Sequence, residues 1–98
     1  MHFEWDEPKR QETIRNRQLD FADASKVFQR PVLRRLDTRK EYGEARWVGI
    51  GLLDTMRLGV VVFTEPDENT IRIISMRKAL GDERQQYEQA FRDEFGFV

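Results

Sequence analysis

The sequence predicts one α+β domain spanning residues 1–98, with a small antiparallel sheet of about four strands packed with two N-terminal helices and a C-terminal helix. Two observations carry this reading. Apolar residues recur at helical spacing up to Pro31, alternate with a period of 2 between Val32 and Lys78, and return to helical spacing after Ala79. Only short turns separate the alternating runs, which favours a meander of antiparallel strands over crossover connections. At 98 residues the chain is long enough to bury one modest core.

Each element has a local reason. HFEW is short and aromatic and reads as an edge strand. Asp6 is placed to cap a helix over residues 7–17, with Glu7 and Pro8 in its first turn. Leu19, Phe21, Ala24, Val27 and Phe28 have helical spacing and predict a second helix over 21–29, which Pro31 stops. Four strands follow, in VLRRLDTRKEY, EARWVGIGLLD, MRLGVVVFTE and TIRIISMRK. The third is the most apolar, as a central strand should be. Gly49 and Gly51 in the second suggest a bend or the close approach of another element. Leu80, Tyr87, Ala90, Phe91 and Phe95 form one stripe of a final helix that starts near Gly81 and meets a natural stop at Gly96. Phe95, Phe97 and Val98 are expected to pack on the core or on a partner.

Composition removes several kinds of chemistry. There is no cysteine, so disulfides, thiolate nucleophiles and cysteine-based zinc sites are excluded. The single histidine, His2, lies beside the N-terminus, which argues against histidine-based metal sites and Ser-His-Asp catalysis. No run is apolar enough to span a membrane and no signal-peptide core precedes the domain, so a cytoplasmic location is expected. Net charge is −1, yet residues 26–78 hold eleven Lys and Arg against seven Asp and Glu. A basic centre between acidic flanks suits a polyanion partner, although a solvated surface of mixed charge has the same composition.

The fourth strand carries the candidate chemistry. Unbroken alternation sets Ile71, Ile73, Ser75 and Arg77 on one face, and Thr70, Arg72, Ile74, Met76 and Lys78 on the other. An arginine ending an apolar face must be paired or wet, and Glu44 or Asp37 is a candidate partner across the sheet. The second strand offers Glu44 and Arg46, so a rim combining Arg46, Arg77, Glu44, Arg39 and Lys40 is expected. Guanidinium groups bind phosphate in a bidentate manner and stabilise charge developing on it. Glu44 could take the proton of a ribose 2′-hydroxyl, and Tyr42 could supply a proton or a stacking surface. Trp47 could stack a base, though its strand position favours packing on the core. Arg72 and Lys78 complete a set of RNA-binding candidates.

FEWDEPKRQETIRNRQLDFADASKVFQRP, GEARWVGIG, VVVFTE, IRIISMRKA and ERQQYE occur in this order over residues 3–88. In that order they resemble the BrnT family of toxins. The resemblance implies a RelE-like fold and a ribonuclease toxin of a type II toxin–antitoxin pair; with Arg46 and Arg77 to stabilise phosphate, RNA cleavage without metal or cofactor is expected. It also implies a BrnA-like ribbon-helix-helix antitoxin, through which alone the chain would meet operator DNA. The family's G-E-x-R-W and I-S-x-R blocks fall on Glu44, Arg46, Arg72 and Arg77. Two departures stand out. Asn16, Arg17 and Gln18 occupy the place of the family's Lys-His-Gly, and Arg39, Lys40 and Tyr42 lie where the family tends to carry another histidine. Loss of those imidazoles implies slower cleavage, or a toxin-like subunit that acts by binding its antitoxin and modulating that partner's grip on DNA.

Overall fold

A computed structural model describes the backbone of residues 1–95 and the side chains as far as Arg92. The chain runs β1 (His2–Trp5), α1 (Glu7–Arg17), a 3₁₀ turn (Phe21–Asp23), α2 (Ala24–Phe28), β2 (Leu33–Leu36), β3 (Trp47–Leu52), β4 (Leu58–Asp67), β5 (Thr70–Lys78) and α3 (Gly81–Phe95). The strands form one sheet in the order β1-β5-β4-β3-β2. The last four make the expected antiparallel meander. The sheet has five strands and not four, because HFEW adds itself in parallel to the outer edge of β5 at Thr70–Ile73. No helix among the described residues is long and apolar enough to cross a membrane.

The helix starts follow from capping. Asp6 accepts the Lys9 N–H at 3.2 Å, as its place before Glu7 and Pro8 suggests. Gln18 closes α1 in a left-handed conformation (φ 55°) and donates its backbone N–H to the Ile14 carbonyl. Because β1 pairs only with Thr70–Ile73, α1 follows alongside the rest of β5, where the Arg17 guanidinium donates to the Met76 carbonyl at 2.9 Å.

Two apolar layers sandwich the sheet. On one side Phe21, Ala24 and Val27 pack on Val61, Phe63, Ile71, Ile73 and Met76. On the other, Tyr87 of α3 packs on Val48, Ile50, Leu58 and Val60. Gly51 allows α2 to approach closely: a Cβ there would lie 2.7 Å from Val27 Cγ1. Tyr87 and Phe91 of the predicted α3 stripe join the second layer, whereas Leu80 stays 61% exposed. The expected stop at Gly96 and the packing of the Phe95, Phe97 and Val98 side chains fall outside the described residues.

Two departures from simple alternation shape the functional face. Val62 pairs with Ser75 but Phe63 pairs with Ile73, so Ile74 is an extra residue in a bulge of β5. The bulge puts Met76 in the same layer as Ile71 and Ile73, and it sends Ser75 and Arg77 to the α3 side. The face expected to hold Ile71, Ile73, Ser75 and Arg77 together is therefore split. In addition, β2 ends at Leu36 and β3 begins at Trp47, so Glu44 and Arg46 precede the strand on which the sequence places them. The buried Asp37 carboxylate and a turn at Gly43 (φ 75°) hold the intervening residues as a loop.

Candidate functional site

A cleft of about 240 Å³ opens on the α3 side of the sheet. Its apolar floor comes from Val48, Val60 and Val62, with the Ser75 hydroxyl at one margin. Four arginines from four segments line it: Arg17 at the end of α1, Arg35 in β2, Arg39 in the loop after β2, and Arg77 in β5. Such crowding of like charge costs free energy unless counter-charges hold it.

Two carboxylates do so. Arg77 makes two 2.7 Å hydrogen bonds to Glu83, one to each oxygen, and a third at 3.2 Å to the Lys78 carbonyl. Glu83 Oε1 also accepts the Leu80 N–H at 2.8 Å, which closes the first turn of α3. The paired Arg77, helped by that N–H and opposed by burial, holds the Glu83 carboxyl down at about 2. The partnership in turn raises Arg77, while the neighbouring Arg39 charge pulls it back. On the opposite wall Asp37, whose side chain is 1% exposed, accepts Arg39 Nε and Nη2 at 2.9 and 2.8 Å. It also accepts the Arg39 N–H and the Tyr42 hydroxyl, at 3.2 and 3.1 Å. The Arg39 side chain and these further donors, against the cost of burial, keep Asp37 well below the usual carboxylate range. Arg17 is fixed by its bond to the Met76 carbonyl. Arg35 forms no ion pair among the described residues, and its charge further favours ionised Glu83.

The other sequence-predicted residues lie elsewhere. Lys40, Tyr42, Glu44 and Arg46 line a separate depression of about 600 Å³ formed by the loop before β3. There the Arg46 guanidinium sits 4.1 Å from the Tyr42 ring centre, with Lys40 Nζ at 5.2 Å from the same ring. Arg46 Nε is buried without a hydrogen-bond partner among the described residues. Arg46 and Arg77 therefore line different hollows, because β4 separates β3 from β5 and Arg46 precedes β3. Asp37 borders both hollows, and its bond from Tyr42 connects them. Trp47 packs against the core, with Arg34 4.1 Å from its ring. Arg72 pairs with Glu4 at 3.1 Å. Lys78 pairs with Gly59 in the sheet, on the face opposite Arg77.

Arg17, Arg35 and Glu83 are not among the residues that the sequence singles out for the site. A signal exists for Glu83, since a glutamate at the third position of a helix commonly reaches back to the preceding N–H. For Arg17 the signal is its place, where the resembling family carries the histidine of Lys-His-Gly; for Arg35 there is none, since only the folded chain brings it to Arg77. Among the described residues no three His, Asp or Glu side chains are grouped to hold a metal ion.

The comparisons with known proteins agree with one another. A family model described as the ribonuclease toxin BrnT of type II toxin–antitoxin systems matches residues 5–83. The crystal structure of the Brucella abortus ribonuclease toxin BrnT is similar, with 30% sequence identity and a TM-score of 0.61, covering 82% of this chain and 97% of that one. No curated protein matches.

Proposed function

Because the chain belongs to the BrnT family of ribonuclease toxins of type II toxin–antitoxin systems, we propose that it is an endoribonuclease that holds the scissile phosphate of RNA in the arginine cleft. One observation carries this reading: Arg17, Arg35, Arg39 and Arg77, from four separate segments, line one hollow with an apolar floor. A phosphodiester there relieves their mutual repulsion, and the charge that builds on phosphorus oxygens in the transition state is met by donors already in place. Attack by the ribose 2′-hydroxyl needs no metal when guanidiniums supply that stabilisation. The hollow before β3 extends the RNA surface through Lys40, Glu44 and Arg46, and Tyr42, whose hydroxyl bonds Asp37 on the border of both hollows, is the proton-handling group nearest the arginine cleft. A cognate antitoxin of ribbon-helix-helix type neutralises the protein, and unopposed cleavage stops translation and growth.

The test is cleavage of RNA in EDTA by purified wild type, Arg35→Ala and Arg77→Ala. Loss of one such stabilising donor should slow cleavage roughly 10²-fold. Equal RNA loss in all three would trace the activity to contamination and remove this site from consideration.

A second reading has its own support. Among the described residues no imidazole lines the cleft, and both nearby carboxylates are engaged by arginine and strongly acidic. A carboxylate ionising at about 2 is a poor general base at neutral pH. On this reading the protein is a weakened toxin that acts chiefly by binding its antitoxin and modulating DNA binding. Expression of the single chain separates the two: arrest with RNA decay supports the first, and undisturbed growth the second.

A further inference from the structure

Arg77 leaves β5 just before the chain turns into α3, and one residue of that helix controls where its guanidinium lies. Glu83 meets both terminal nitrogens, Nη1 and Nη2, each at 2.7 Å. Its side chain is 9% exposed against 41% for Arg77, so the carboxylate is the fixed partner and the guanidinium the group presented to the cleft. The Leu80 N–H donates to the same carboxylate at 2.8 Å and locks it to the start of α3. A bidentate pair fixes a guanidinium plane as well as its position. Released from Glu83, Arg77 would swing away from Arg39, whose charge repels it.

We infer that Glu83 is a positioning residue for RNA cleavage, holding the Arg77 guanidinium in the plane it must occupy to meet the reacting phosphate. The inference rests on the reading of the cleft as the phosphate site. Glu83 does not touch substrate; it acts through Arg77. Because its charge also lowers the positive potential of the cleft, its removal leaves RNA binding intact or tightened and falls on the chemical step.

The experiment is a double-mutant cycle of Glu83→Gln, Arg77→Ala and the pair, followed by steady-state cleavage of a short RNA. The glutamine introduced by Glu83→Gln has no charge, but its amide oxygen can still accept the Leu80 N–H, so the fold should survive; circular dichroism checks this. Glu83→Asp, which keeps the charge and shortens the reach, is the second variant if Glu83→Gln does not fold. Glu83→Gln is expected to lower kcat by roughly 10- to 100-fold with KM equal to or below wild type, and to have no further effect in the Arg77→Ala background. Multiplying effects of the two substitutions, or wild-type kcat in Glu83→Gln or folded Glu83→Asp beside an impaired Arg77→Ala, would overturn the positioning role alone. Wild-type cleavage by Arg77→Ala would overturn the phosphate site and the positioning role together.

Discussion

Asp37 and Glu83 perform the same task from opposite walls of the cleft: each turns both oxygens to one guanidinium and accepts a backbone N–H as well. Neither grip on an arginine is legible in the sequence, although the bond of Glu83 to a backbone N–H is; the sequence suggests that Asp37 or Glu44 reaches across the sheet to Arg77, whereas Asp37 bonds a residue two positions away. Short-range partners win because loop residues can adjust to them, whereas β4 keeps distant strands at a fixed spacing. Thr64 presents the opposite case. Its side chain is buried at 2% exposure and its hydroxyl finds no partner among the described residues. A buried hydroxyl without a hydrogen bond carries its full desolvation cost. Thr64→Val should therefore raise unfolding free energy by about 1 kcal/mol, read from the urea midpoint at constant slope; a clear loss would mean that the hydroxyl has a partner in solution.

The elements themselves are largely readable. The change of period at Val32, the Asp6 cap and the Pro31 stop each act within a few residues, and each lies close to where the sequence puts it. The bulge at Ile74 is not readable, because alternation counts residues and cannot register an extra one until a neighbouring strand is set beside it. That one residue decides that Arg77 faces α3 and the cleft. The start of α3 then depends on pH through Glu83, which ionises near 4.5 when unpaired and at about 2 in the fold. A carboxyl depressed on folding stabilises fully above its unfolded value and loses that contribution as pH falls through its folded value. Stability should thus decline between pH 4.5 and about 2, and Glu83→Gln should flatten part of this decline. Urea unfolding across that range measures it; an unchanged profile in the variant would show that the pair contributes nothing.

At the scale of the whole molecule, charge is segregated more than the net value of −1 suggests. The cationic cleft sits on a chain that is almost neutral, so its attraction for a polyanion is local and does not extend over the surface. Single-stranded nucleic acid loses affinity with salt at a logarithmic slope of about −0.7 for each phosphate neutralised. The arginine cleft alone meets about one or two phosphates, so a slope at least as steep as roughly −0.7 to −1.4 is expected for a short RNA that cannot be cleaved. Fluorescence anisotropy at several salt concentrations reports it, and a slope near zero would leave the arginines without a role in binding. The four-residue β2, which ends the sheet on one side, has a separate effect. So brief a border, carrying Arg34 and Arg35, is a poor template for strand addition by a second copy. Along this border, crowded molecules of this protein should meet through their side chains and not zip together along their backbones.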